Sequence, residues 1–254
     1  MKVAVMQPTF LPWVGYFDLI DRVDRFVFLD TVPFTRQSWQ HRNRIKTAQG
    51  LQWITLPVVA SVTDKTLIRD VRLGEVRSDK ILRAIEQNYA RAPFFASLWP
   101  RFLPLIERIE KEAPLAEINM AIITEICSLL GLTTPLLRAH DLPPCDGRIE
   151  RLIALTAALG GDTYVSPMGA AGYLAEAPNA FAAANLTLSF QSYDHPSYPQ
   201  RFPPFIPGCG IFDLVFNAGP DSLATIRAGR RPDKSADSVF AGLSSSAAAA
   251  EAAA

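Results

Sequence analysis

Residues 2–46 read KVAVMQPTFLPWVGYFDLIDRVDRFVFLDTVPFTRQSWQHRNRIK. The short apolar run from Val3 to Met6 shows no polar alternation, which predicts a strand buried on both faces. Gln7-Pro8 ends it, and Pro8 and Pro12 forbid helix as far as Trp13. From Val14 the apolar residues Val14, Phe17, Leu19, Ile20 and Val23 fall at helical spacing, with Asp18, Asp21 and Arg22 facing outward. A second apolar run, residues 26–29, closes on Asp30. A basic loop follows, carrying Arg36, Gln37, Gln40, His41, Arg42, Asn43, Arg44 and Lys46. Strand, loop, helix, strand and basic loop in one unit is the layout of a ligand site at the carboxyl ends of parallel strands.

Outward from this unit the chain keeps alternating. Residues 52–59 (QWITLPVV) read as a third strand and 67–73 as a half-exposed one. A helical block over 79–131 is broken by Pro93, Pro100, Pro104 and Pro114; Pro114 suits the first turn of a helix over 115–130, and Gly131 its C′ position. Strands are expected at 135–139, 163–166 and 186–191, a helix at 147–159, and a helix pair at 211–217 and after Pro220. The fold class is therefore α/β with a mostly parallel sheet. The domain spans 1–229 with a helical insertion at about 77–132. From Arg230 the chain turns Ser/Ala/Asp-rich, and 230–254 is expected to be a low-complexity, disordered tail.

Composition narrows the class. The 254 residues are 49% hydrophobic and 20% charged, with 25 basic against 25 acidic side chains, so no global field draws the chain to DNA or an anionic membrane. The three cysteines form no C-x-x-C pair, which fits a reducing cytoplasm. No signal peptide or transmembrane run is visible, and no pair of His or Cys has zinc-ligand spacing, so no metal site is assigned.

Four segments carry candidate chemistry. In QPTFLPWVGY, Gly15 lets backbone approach a ligand at a helix N-terminus, or serves a rigid turn with an aromatic plug. Trp13-Val14-Gly15-Tyr16 has the spacing of the H-x-G-H signature of nucleotidyltransferases, with both histidines replaced, so nucleotidyl transfer by that route is not expected. In WQHRNRIK, Trp39, His41, Arg42, Asn43, Arg44 and Lys46 suit a phosphate or carboxylate beside a sugar or base. In SPMGAAGY, Ser166, Gly169 and Tyr173 follow a strand end without matching a P-loop or G-x-S-x-G, and a tight strand-to-helix turn explains them as well. In the last segment, His195 in YDHPSYPQ is a candidate general base, and Asp213 and Asn217 lie one helical turn apart. Asp30 at a strand end could bind a ribose hydroxyl or a metal, act as a base, or cap a turn.

Together VAVMQPTFLPWVGYFDLI, DRFVFLDTVPFTRQSWQHRNRIK, WITLPV, GDTYVSPMGAAGYL, YDHPSYPQRF and IFDLVFNAG resemble the WbqC-like family of bacterial proteins, over nearly the whole chain to about Leu223. The strand–loop–helix position of Trp13-Val14-Gly15-Tyr16 points to a Rossmann-like core of the HUP/nucleotidyltransferase type. The resemblance implies a cytoplasmic transferase of O-antigen and other surface-polysaccharide synthesis. Such an enzyme would act on a nucleotide-activated amino sugar and pass to it an acyl or aminoacyl group. The family's recurring positions fall here on Gln7, Pro8, Pro12, Gly15, Asp30 and Trp39, then on Arg42, Asn43, Arg44 and Lys46. In the second half they fall on Ser166, Gly169, Tyr173, His195, Tyr198, Gln200, Asp213 and Asn217. The chain departs from the pattern in having Pro167 after Ser166 and Gly210 where a Ser is expected. Catalysis is expected of His195, Asp30 and Asp213, with the other positions binding substrate. The partner expected is a small molecule, a nucleotide sugar, with no cofactor assigned. A non-catalytic binding protein and a tRNA- or ATP-dependent aminoacyl transferase are the alternatives; tRNA, an acyl carrier and a second copy of the chain stay open as partners.

Overall fold

The computed structural model describes residues 1–59, 65–75 and 78–252, with side chains to residue 244. The expected start of the insertion near residue 77 and the last two residues of the expected tail lie outside the described residues. The first half of the chain comprises β1 (Lys2–Met6), α1 (Val14–Asp21), β2 (Arg25–Phe28), β3 (Arg42–Thr47), β4 (Gly50–Thr55), β5 (Val58–Val59), β6 (Arg72–Leu73), α2 (Ser78–Tyr89), α3 (Phe95–Glu107) and α4 (Leu115–Leu130). The second half comprises β7 (Leu136–Arg138), α5 (Ile149–Ala158), β8 (Thr163–Ser166), α6 (Ala171–Leu174), α7 (Ala180–Ala183), β9 (Thr187–Tyr193), α8 (Phe212–Ala218), α9 (Ser222–Ala228), β10 (Arg230–Ser235) and α10 (Ala236–Ala252).

Six strands form the central sheet in the order β10-β9-β8-β1-β2-β7. All neighbours are parallel except β10, which runs antiparallel to β9. Taken in chain order, the five parallel strands lie third, second, first, fourth and fifth across the sheet. This is the doubly wound arrangement, and its direction reverses between β1 and β8. Both faces are covered, as the unalternating apolar runs require. Val3, Val5, Val27 and Tyr164 point into one core with α5, α6 and α7, while Ala4, Phe26, Phe28 and Val165 point into the other with α1, α4 and α8. Among the described residues no helix is long and apolar enough to cross a membrane.

Several expectations need correction. Residues 52–59 are not a third strand of the sheet: β3 and β4 pair as a separate hairpin, and β5 pairs with β6. The basic loop ends as strand from Arg42, where Asn43 and Ile45 are buried and alternate with the half-exposed Arg42 and Arg44. Residues 67–73 form a 3-10 turn (Ile68–Asp70) before β6, since Ile68 and Val71 are both buried at a spacing of three. Helix α3 runs through Pro100 and Pro104, both on its solvent side, where water can satisfy the freed carbonyls; Phe95, Trp99, Phe102 and Ile106 anchor the opposite face.

Two further corrections are linked. Asp18 does not face outward. It is fully buried and accepts hydrogen bonds from Arg22, from Arg230 Nε at 2.7 Å and from Gln191 Nε2 at 2.7 Å. Arg230 comes from the expected disordered tail, whose first six residues are instead the edge strand β10, followed by α10. Ion pairs from Arg22 to Asp233 and from Lys2 to Asp233 (3.1 Å) hold a strand too polar to announce itself by hydrophobicity.

Candidate functional site

The two loops leaving β1 and β8, on either side of the sheet's reversal point, open a cleft of about 860 Å³. Ligands of doubly wound sheets bind at this place because the flanking connections depart to opposite faces and leave a crevice between them. The first wall is the loop 7–13. Asn43 Nδ2 donates to the carbonyls of Phe10 (3.0 Å) and Leu11 (2.6 Å), and Asn119 Nδ2 to that of Pro8 (3.1 Å). These bonds hold Leu11 at a φ of 46°, a left-handed conformation a leucine adopts only under constraint.

Polar groups on the cleft are amides and hydroxyls in relay. Gln40 Nε2 donates to Gln7 Oε1 at 2.7 Å, and Gln40 Oε1 accepts from the Thr35 amide at 3.1 Å. Gln7, Thr9, Thr35, Ser38, Gln40 and Gln191 all line the cavity. Its aromatic walls are Trp13, Trp39, Tyr164, Tyr173 and Tyr193. Trp13 stands edge-on to Tyr193 with ring centroids 5.5 Å apart. Its cations are Arg148 and Arg151, at the start of α5. The Arg148 guanidinium lies 3.6 Å over the Tyr173 ring, and Arg151 Nε donates to the Cys145 carbonyl at 3.0 Å.

A smaller pocket of about 240 Å³ shares Met6, Thr9, Trp13 and Trp39 with the cleft and adds Pro12, Tyr16, Asn43, Arg44 and Gly208. Of the expected binding residues, the structure thus brings Gln7, Trp39, Gly169 and Tyr173 to the cleft, and Pro12, Trp39, Asn43 and Arg44 to the side pocket.

The rest lie elsewhere. Gly15 makes no room for a ligand: a Cβ there would overlap the Trp13 ring, which packs on it. Pro8 serves through its carbonyl, and Arg42 sits 4.5 Å over Trp53, donating to the Gln37 carbonyl at 2.6 Å. His41 is buried against Phe34, with both ring nitrogens unpartnered and its pKa lowered by burial and then by Arg42. Ser166 is fully buried and donates to the Pro167 carbonyl at 3.2 Å. A side chain at Gly210 would press on the Leu11 carbonyl oxygen at 2.8 Å, which closes the position where the family pattern suggested a serine.

None of the three expected catalytic residues lines the cleft. Asp213 accepts from Tyr198 Oη (2.9 Å), Gln200 Nε2 (2.7 Å) and Tyr89 Oη (3.1 Å), and burial raises its pKa against these bonds and the nearby Lys46. Lys46 Nζ donates to the Pro204 carbonyl at 2.7 Å, and Asn217 Nδ2 to the Asp213 carbonyl at 2.7 Å. Lys46, Tyr198, Gln200 and Asp213 are therefore one buried knot that ties the 194–210 loop to α8. His195 faces the Pro196 carbonyl with Nδ1 (2.9 Å) and accepts the Gly208 N–H with Nε2 (3.1 Å), so neither nitrogen is left to move a substrate proton. Asp30, fully buried, engages His140 Nδ1 and ties β2 to the end of β7.

The residues missed are Arg148, Arg151, Gln40, Gln191 and Tyr193. The signal for the arginines was present: GRIER places cations at spacing three beside an apolar helix face, immediately after a glycine turn.

Comparison with known proteins completes the picture. An uncharacterized protein of Mycobacterium tuberculosis is 36% identical over 228 residues, covering 89% of this chain and 97% of its own length. No solved structure matches the chain. The model of the WbqC-like protein family matches residues 7–225, from the first cleft glutamine to the middle of α9, and the chain belongs to that family.

Proposed function

We propose that the chain binds a nucleotide-activated sugar in the cleft between the β1 and β8 loops and passes a small acyl or aminoacyl group to it, as a step of bacterial surface-polysaccharide synthesis. The observation that carries this reading is the lining of the cleft. Two arginines, three glutamine amides, three hydroxyls and five aromatic rings meet at the reversal point of a doubly wound sheet. Arginine forks fit a diphosphate, amides and hydroxyls fit sugar hydroxyls, and indole or phenol faces fit flat or C–H-rich rings.

That location also supports a nucleotidyltransferase-like origin for the core, with Trp13 and Tyr16 at the positions of the signature histidines. Transfer then rests on orientation of donor and acceptor and on neutralisation of the diphosphate by Arg148 and Arg151. The bond formed joins the sugar's amine to the acyl carbon. The donor's leaving group departs with its electron pair, and the amine proton passes to solvent.

A second reading, binding without turnover, is favoured by one observation. Among the described residues that line the cleft there is no carboxylate, imidazole, thiol or amine. Incubation with nucleotide amino sugars and radiolabelled acyl and aminoacyl donors separates the readings. Label on the sugar is the expected result; tight binding without label supports the second reading, and absence of binding to every nucleotide sugar overturns both.

A further inference from the structure

The side pocket has a narrow set of polar groups. Asn43 is fully engaged, since its Nδ2 holds two carbonyls of the 7–13 loop and its Oδ1 accepts the Arg44 amide at 2.8 Å. Tyr16 Oη is turned to the Gln7 carbonyl at 3.1 Å. The free donors of Arg44 are on its outer nitrogens: Nη2 donates once, to the Gly208 carbonyl at 3.1 Å, while Nε is buried. The guanidinium is also fixed in place. It lies 5.4 Å from the Trp39 ring centroid and 5.6 Å from that of Trp53, and the backbone of Gly208, at a φ of 76°, closes against Nη2. The pocket therefore offers apolar and aromatic walls, the Thr9 hydroxyl and one immobile donor fork.

We propose that this pocket holds a nucleobase, and that Arg44 selects bases with a carbonyl at C4 (pyrimidines) or C6 (purines). The inference rests on the reading of the main cleft as a nucleotide-sugar site and names the class of nucleotide. A base is flat and apolar on its faces, which suits the exposed indoles of Trp13 and Trp39. Its edge must satisfy a group that only donates. At C4 of the pyrimidines and C6 of the purines, uracil, thymine and guanine present a carbonyl acceptor, whereas cytosine and adenine present an exocyclic amine that would set N–H against N–H. The four lining residues common to both cavities make the passage from base to diphosphate continuous.

Calorimetric titration of the whole chain with UDP, dTDP, GDP, CDP and ADP tests the proposal. The expected result is binding about tenfold tighter for the three keto-base diphosphates. Arg44→Gln, which presents a carbonyl as well as an amide, should level that preference. Arg44→Lys, which keeps the charge but lacks the fork, should bring the affinities of UDP, dTDP and GDP down toward those of CDP and ADP; circular dichroism checks that both variants fold. Equal affinity for all five, a preference for CDP or ADP, or an unaltered keto preference in Arg44→Gln overturns the proposal. If all five bind equally and Arg148→Gln weakens them together, the cleft reading stands and the base-reading role of Arg44 falls. If none binds, both fall.

Discussion

Asp213 is enclosed by two phenols, an amide and, nearby, the ammonium of Lys46. Three donors to one carboxylate leave no place for a donor in its stead. Asp213→Asn therefore turns an N–H toward other N–H or O–H groups, and is expected to cost about 1–3 kcal/mol in urea unfolding at neutral pH. No loss would mean that the knot is not a stabilising one.

His41 acts through its charge state instead. Burial lowers its folded pKa below the unfolded value of about 6.5, so the folded state prefers the neutral ring. Its contribution is fully present above the unfolded pKa and is lost as pH falls through the folded one. His195 has the same sign, also from burial, and Asp213, raised by burial, has the opposite dependence at more acidic pH. Wild-type stability is thus expected to drop as pH falls below about 6.5. His41→Phe, which keeps an aromatic ring against Phe34, should drop less. Identical pH slopes in chemical denaturation would contradict this account of His41.

At the scale of elements, α1 depends on residues that lie far along the chain. Its buried acid, Asp18, is met by Arg230 of β10, and Asp21 by Arg227 (2.8 Å) and Arg230. A chain ending at Gly229 leaves Asp18 with one cation fewer and bares the β9 edge. Loss of a partner from a buried pair predicts destabilisation of about 3 kcal/mol and poorer solubility, read by denaturant midpoint and soluble yield. An unchanged midpoint would restore the view of 230–254 as a dispensable tail.

The Trp13–Gly15 contact is a second element-scale device. Gly15→Ala drives a methyl into the indole that walls both cavities, at an expected cost of about 1–3 kcal/mol with a shift in tryptophan emission. Unaltered emission and stability would place Trp13 elsewhere.

These elements also show what the sequence makes legible. Val3–Met6 and residues 26–28 declare themselves because strands covered on both faces are apolar throughout. Strand β10 reads RRPDKS and is held by ion pairs to residues some two hundred positions away, a cause that no local pattern records. For the same reason Arg42, Arg44 and Lys46, three cations on one strand, go to three different places: a tryptophan face, a pocket and a buried knot. The three project from the same face of β3, and their different neighbours along the strand, brought in by the 194–210 loop and β4, send them apart.

Across the whole molecule, the doubly wound order brings together loops from residues 7, 40, 148 and 168, none of which is near another in sequence except through the sheet. The candidate site was legible in Gln7, Trp39, Gly169 and Tyr173, which line the cleft, while its cations, at the start of α5, went unread because GRIER carries them on a helix with no ligand motif beside it. On the function proposed above, this cleft takes a nucleotide-activated sugar through Arg148 and Arg151.

Isothermal titration of wild type, Arg148→Gln, Arg151→Gln and Arg42→Ala with a panel of nucleotide sugars tests it most directly. The account predicts binding of one nucleotide-sugar class, a loss of at least about tenfold for each cleft arginine, and unchanged affinity in Arg42→Ala. Affinity that survives in both cleft variants and disappears in Arg42→Ala would contradict it.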